Sequence, residues 1–232
     1  MLAWALVAIG VMQPAPAWAS DAAPTDSMRQ RMQACVACHG RDGVASPLGY
    51  FPRIAGKPAG YLYNQLLNFR EGRRSNATMA YLLQNLSDAY LREIAQYFAE
   101  LDLPYADPSA SSGEDVLRDR GRDLVERGDR KSSVPACASC HGPDLIGDAS
   151  YVPALVGLRR EYLLAQLGAW RSGLRRSAHP DCMAKVSQRL STSDLEALAT
   201  YLPALPVPTP ARRRATERTP SSRPLECGST RP

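Results

Sequence analysis

Histidine is scarce in this 232-residue chain: there are three, and only His179 lies outside a cysteine motif. That leaves a single spare imidazole, His179, for any catalytic centre built on histidine. No segment alternates apolar and polar residues as a half-buried strand does, so a sheet-based fold is not expected. After the stretch Leu2 to Met12, no run is apolar and long enough to cross a bilayer. Net charge is also missing from most of the chain. Residues 20–205 are close to neutral, whereas residues 206–232 hold six basic and two acidic side chains, so the formal +5 is essentially a property of the tail. The tail contains no aromatic residue, and this excludes a nucleic-acid reading of the high isoelectric point.

Against that background one pattern occurs twice: Cys35-Val-Ala-Cys38-His39-Gly40 and Cys137-Ala-Ser-Cys140-His141-Gly142. Cys-X-X-Cys-His is the attachment site of a c-type haem. The two thiols add to the porphyrin vinyl groups and the histidine is placed to become an axial iron ligand. A four-cysteine zinc ribbon brings its pairs within ~15–20 residues of each other and needs no histidine; these pairs lie far wider apart. A thioredoxin-like pair belongs beside a βαβ pattern, of which there is no trace. Composition alone leaves simple structural disulfides open. The reading adopted is two covalently bound haem c groups, held by Cys35, Cys38, Cys137 and Cys140.

Residues 1–19 carry no charge, and Ala17-Trp18-Ala19 fits the small-X-small rule for cleavage before Ser20. The positive leading region of a signal peptide is missing. A membrane anchor is the rival reading, but the apolar run falls short of the ~20 residues needed to span, and Pro14 and Pro16 follow it. The expectation is a cleaved signal peptide over 1–19, export to the periplasm, and a soluble mature protein with at most peripheral membrane association.

The motifs sit inside a longer repeat. At offset 101, Pro52 matches Pro153, Tyr61 matches Tyr162, Gln65 matches Gln166, Phe69 matches Trp170 and Gly72 matches Gly173. Three extra residues in the second copy move the offset to 104, where Met79 matches Met183, Ser87 matches Ser191 and Tyr97 matches Tyr201. Each copy reads as helices: about 26–38 and 114–127 leading to the motif, 58–72 and 159–172 in the middle, and a last helix opening at Ser87 or Ser191, both good N-caps. Leu91, Ile94, Phe98 and Leu101, and likewise Leu195, Leu198, Leu202 and Leu205, form an apolar stripe. The fold class is thus all-α, with two tandem cytochrome c-like domains over 20–103 and 114–205. A linker spans 104–113, and a Pro/Arg-rich tail, expected to be disordered, spans 206–232. Domains of this size bury little surface on their own, so each should depend on its haem.

What lies opposite each histidine decides whether the iron is open or closed. Met79 and Met183, each eight residues before an N-cap serine, are the candidate second axial ligands; a His/Met pair raises the reduction potential. His179, four residues before Met183, competes with it on sequence grounds and is read as a surface residue. Pro52 and Pro153 follow the motif histidines by 13 and 12 residues. Each is either a turn proline or the carbonyl acceptor for the histidine ring N–H. Arg70, Arg73, Arg74, Arg171, Arg175 and Arg176 would either meet haem propionates or be solvated surface charge. Cys182 and Cys227 are left over. An oxidising compartment would allow them a disulfide, but with Cys227 in the aperiodic tail two unpaired or heterogeneous thiols are expected.

As a set, CVACHG, PRIAGKPAGYLYNQLLNFREGRR and MAYLLQNLSDAYLREIAQYF, with VPACASCHGPDLIG, VPALVGLRREYLLAQLGAWRSG and LSTSDLEALATYL, resemble the cytochromes c4, dihaem proteins of bacterial periplasms. The resemblance covers about residues 25–205. It implies two helical domains related by an approximate two-fold, Met79 and Met183 as ligands, and Pro52 and Pro153 behind the histidines. It also implies electron transfer between a quinol-cytochrome c oxidoreductase or a dehydrogenase and a terminal oxidase or other acceptor. The segment His-Pro-Asp-Cys-Met, the polar run 129–134 and the tail depart from the family pattern. The first functional reading is an electron carrier and not an enzyme. The alternatives are a cytochrome subunit of a dehydrogenase or oxidase complex, and a dihaem peroxidase-like enzyme with one open iron.

Overall fold

The computed structural model describes residues 26–46, 50–108, 115–209 and 224–230. The expected signal peptide, most of the linker beyond residue 108 and the arginine-rich stretch of the tail lie outside these. The described residues form helices and turns without a strand, as the missing alternation required.

In the first half, Ser27 and Gln30 cap each other at the start of α1 (Met28–Arg31). The helix breaks at Met32 and resumes as α2 (Gln33–His39). Helix α3 (Ala59–Arg70) begins after Pro58 and stops before Gly72. Helix α4 (Ala77–Leu83) is capped by Asn76, whose side chain accepts from Met79 N–H at 3.0 Å, and α5 (Asp88–Glu100) by Ser87. The second half repeats the series as α6 (Asp115–Glu126), α7 (Ala138–His141), α8 (Arg160–Arg171), α9 (Cys182–Arg189) and α10 (Thr192–Tyr201). Helices α4 and α9 were not anticipated. Each is two turns or so, too short for a periodic signal, and exists because a local cap (Asn76, Asp181) satisfies its first N–H groups.

The apolar stripes face inward. Met32, Leu62, Leu91, Ile94 and Phe98 form one cluster, and Leu124, Leu163, Leu195, Leu198 and Leu202 form the other. Burying one such side chain contributes roughly 1.5–3 kcal/mol. In the second half α6 crosses α10 with almost no gap: a Cβ on Gly121 would lie 2.4 Å from Ala197 O.

The polar run 129–134 folds into a closed turn. Asp129 and Val134 exchange two backbone hydrogen bonds of 2.8 Å each, and Arg120 grips Asp129 and Asp194 at 2.7 Å. The turn explains why α6 and the second motif are separate while α2 runs straight into the first.

The chain leaving the first half is pinned at residues 103–105. Buried Arg53 donates to Leu103 O and Pro104 O at 2.6 and 2.8 Å and stacks on Tyr105 at 3.9 Å. At the other end, Val207 packs on the second core. The expectation of free thiols at Cys182 and Cys227 is corrected: they are disulfide-bonded, with a Cα–Cα distance of 5.4 Å. The tail is therefore not loose throughout its length, because residues 224–230 return to the second domain. Among the described residues no helix is long and apolar enough to cross a membrane.

Candidate haem sites

Both motif histidines end a helix, and the following glycine turns the chain away with φ of 77° at Gly40 and 84° at Gly142. Such angles suit glycine, which has no Cβ to clash. The chain then folds back in the same way twice: Ala45 N–H donates to His39 O and Gly147 N–H to His141 O, both at 2.8 Å. The return brings a proline carbonyl against each imidazole. His39 Nδ1 lies 2.8 Å from Pro52 O and His141 Nδ1 lies 2.9 Å from Pro153 O. A bond at Nδ1 fixes the ring and leaves Nε2 as the atom free to ligate. Both rings are buried. Burial holds the His39 imidazole below its ordinary range against the opposing bond to Pro52, so the neutral, ligating form is favoured.

Each motif packs on the same apolar cluster as the methionine of its own half. Cys35 and Met79 pack on the first apolar cluster, and Cys137 and Met183 on the second. Cys140, His141, Pro153 and Met183 line a single cavity. His179 is exposed and is not among the residues of that cavity. The four motif cysteines form no disulfide in this structure, unlike Cys182 and Cys227. Burial raises the Cys35 thiol, with Cys38 adding to the effect, and pushes Cys137 up to about 12. Among the described residues no cluster of three or more His, Cys, Asp or Glu side chains could hold a bare metal ion.

The arginines were only half understood from sequence. Arg74 and Arg175 are buried, not solvated, and occupy the join between the halves with near two-fold symmetry. Arg74 donates to Gln65 at 3.0 Å, Gln166 at 2.7 Å and the Tyr162 hydroxyl at 3.2 Å. Arg175 donates to Gln166 at 2.8 Å, Gln65 at 2.9 Å and the Tyr61 hydroxyl at 3.4 Å. Ser75 N–H to Leu174 O and Arg176 N–H to Arg73 O, at 2.8 and 2.6 Å, complete the seam. Burial and Tyr162 raise Tyr61; at Tyr162 burial is outweighed by Arg74, Arg175 and Lys57, which favour its ionised form. Offset 101, which pairs Tyr, Gln and Arg alike, was the available signal for this network.

Two features of this seam fit the anionic edge of a haem. Arg74, Arg175 and Lys57 are buried, yet no described carboxylate pairs with any of them. Buried cations call for a counter-charge, which haem propionates would supply. Trp170 Nε1–H is buried with no acceptor, on a side chain that lines the second cavity. The residues present therefore suit the group.

Helices enclosing apolar clusters, each with a Cys-X-X-Cys-His motif and a histidine resting on a proline carbonyl, define a c-type cytochrome. The chain belongs to the cytochrome c4 family. It is 35% identical over 175 residues to the cytochrome c4 of Pseudomonas aeruginosa, covering 74% of this chain and 83% of that protein. It is 37% identical over 173 residues to a thiosulfate dehydrogenase electron acceptor of Thiomonas intermedia, covering 75% and 79%. The crystal structure of reduced recombinant cytochrome c4 from Pseudomonas stutzeri matches with a TM-score of 0.65 at 31% identity, covering 76% of this chain and 96% of that one. No family model matches the chain. The protein is thus a haem c electron carrier working between redox partners.

Proposed function

We propose that the protein is a periplasmic dihaem shuttle in which both irons are closed. One haem is joined to Cys35 and Cys38 and ligated by His39 and Met79; the other is joined to Cys137 and Cys140 and ligated by His141 and Met183. When bound, each haem supplies one-electron redox chemistry at a potential raised by the thioether. The chain's own residues do the rest. Pro52 and Pro153 orient the imidazoles, the two apolar clusters keep water away, and Arg74, Arg175 and Lys57 would supply the cations that pair with propionates. The observation that carries this reading is the repeated geometry, with an imidazole on a proline carbonyl in both halves and a methionine on the same apolar cluster as the motif.

Two classes of donor suit such a protein, a quinol-cytochrome c oxidoreductase and a dehydrogenase, with a terminal oxidase as the usual acceptor. The 37% identity to a thiosulfate dehydrogenase electron acceptor favours the dehydrogenase, whether as a transient donor or as a permanent partner. Stopped-flow mixing of the oxidised protein with a thiosulfate dehydrogenase and thiosulfate tests this. Reduction of both haems within the enzyme's turnover time is expected. Absence of reduction, alongside rapid reduction by a quinol-oxidising complex, would overturn the dehydrogenase assignment.

A further inference from the structure

The tail returns to one particular place. Cys227 is bonded to Cys182, the first residue of α9 and the neighbour of Met183. Gly228 N–H donates to Pro180 O at 3.0 Å. The two backbones run so close that a Cβ on Gly228 would lie 2.3 Å from His179 O, so only glycine fits. Ser229 O accepts from Asn64 Nδ2 of the first half at 2.9 Å. Leu225, Ser229 and Thr230 line the same cavity as His141 and Met183. The first half has no counterpart: Thr78 stands in the place of Cys182, and Tyr81 and Leu82 of α4 are exposed.

There is a physical reason for the difference. The second copy has three extra residues before its methionine, and much of the loop they lengthen is exposed. A thioether is a neutral ligand with no charge to draw it to iron, so it depends on the helix that carries it being held in place. In the first half the short approach to α4 is held by Ser75 and by the Asn76 cap. In the second half the longer approach needs a further anchor.

We infer that residues 225–230 form a covalent strap that fixes the first turn of α9, and with it Met183, and closes the second haem cavity to small ligands. Cys182 and Cys227 are positioning residues for the second axial ligand, and Asn64 ties the strap to the other half. The inference rests on the reading of Met183 as an iron ligand.

The test uses the mature two-haem protein and two readouts. One is the thioether-to-iron charge-transfer band of the oxidised protein, scaled per haem; the other is carbon monoxide uptake by the reduced protein. The wild type should show the band at full two-haem strength and take up no carbon monoxide. C182S/C227S should lose half of the band and bind carbon monoxide at one haem of two. A second arm does not depend on the variant maturing. Dithiothreitol reduces the disulfide of the wild type and is itself oxidised to its cyclic disulfide, raising the titratable thiols from none to two; the same single-haem uptake should appear. If both the variant and the treated wild type keep irons closed to carbon monoxide, the strap's role is overturned while Met183 ligation stands. A wild type with only half-strength band overturns Met183 ligation and the strap's role together.

Discussion

The two halves descend from one repeat yet hold their sites by different means. In the second half, α6 is continuous and packs on α10 at Gly121, a capping box at Ser191 and Asp194 starts α10, and a disulfide closes the chain over the cavity. In the first half the leading helix breaks at Met32. That side chain is 2% exposed and packs among Leu62, Leu91 and Ile94, the last helix has a simple serine cap, and among the described residues no strap crosses the site. The disulfide spans 45 residues, a loop whose closure removes about 4 kcal/mol of chain entropy from the unfolded state in the simplest model. The comparison teaches that a shared ligand pattern can stand on unequal scaffolds, with the first half leaning harder on its haem.

Removing a haem should separate the halves most sharply. In C35A/C38A the first half is expected to lose most of its helix, whereas C137A/C140A should leave α6 and α10 partly ordered around their own cluster. Haem-to-protein ratio and far-ultraviolet dichroism of the two variants read this directly, and equal losses would erase the proposed asymmetry. Next come the two packing devices. Gly121→Leu drives a side chain into the α10 backbone and should cost the second half about 3 kcal/mol. Met32→Ala empties a core position of the first half and should cost about 2–5 kcal/mol. Denaturant titrations that follow each haem separately would assign each loss to its own half.

The seam between the halves should respond symmetrically. Arg175→Ala leaves Gln65, Gln166 and Tyr61 short of a donor, and Arg74→Ala does the same across the pseudo-two-fold. Each should weaken the interdomain contact by about 2 kcal/mol, with the double variant costing more than the sum, because Gln65 and Gln166 keep one arginine donor after either single change and none after both. Double-mutant cycles on thermal unfolding measure that coupling.

A smaller effect distinguishes the last helices. Asp194 is opposed by its burial but held below the ordinary carboxylate value of 3.8 by Arg120 and Ser191. With the folded value depressed, its contribution is present in full above about pH 4 and is lost as pH falls through the folded value. Asp194→Ala should cost about 1–2 kcal/mol at pH 7 and less once the carboxyl is protonated. The equivalent change at exposed Asp88 should cost less at either pH. Unfolding midpoints at the two pH values check the sign.

Much of this architecture was legible in residues. The apolar stripes on α5 and α10 and the serine caps pointed to the helical class, and the two Cys-X-X-Cys-His motifs to the candidate haem residues. Offset 101 placed Pro52 and Pro153 at matching positions, although only the fold shows their carbonyls at the imidazoles. What escaped was non-local or very short. Arg74 and Arg175 look like surface charge until the halves meet. Helices α4 and α9 are too brief for periodicity and were announced only by Asn76 and Asp181. Cys227 lay in a stretch without pattern, so nothing in its surroundings pointed 45 residues back to Cys182.

Carbon monoxide binding to the fully reduced two-haem wild type, followed by visible difference spectroscopy at neutral pH, bears most directly on whether this protein is a carrier with two closed irons. No uptake at either haem is the expected result. Rapid stoichiometric uptake at one haem would contradict it, showing an open iron and redirecting the search to peroxide or oxygen chemistry.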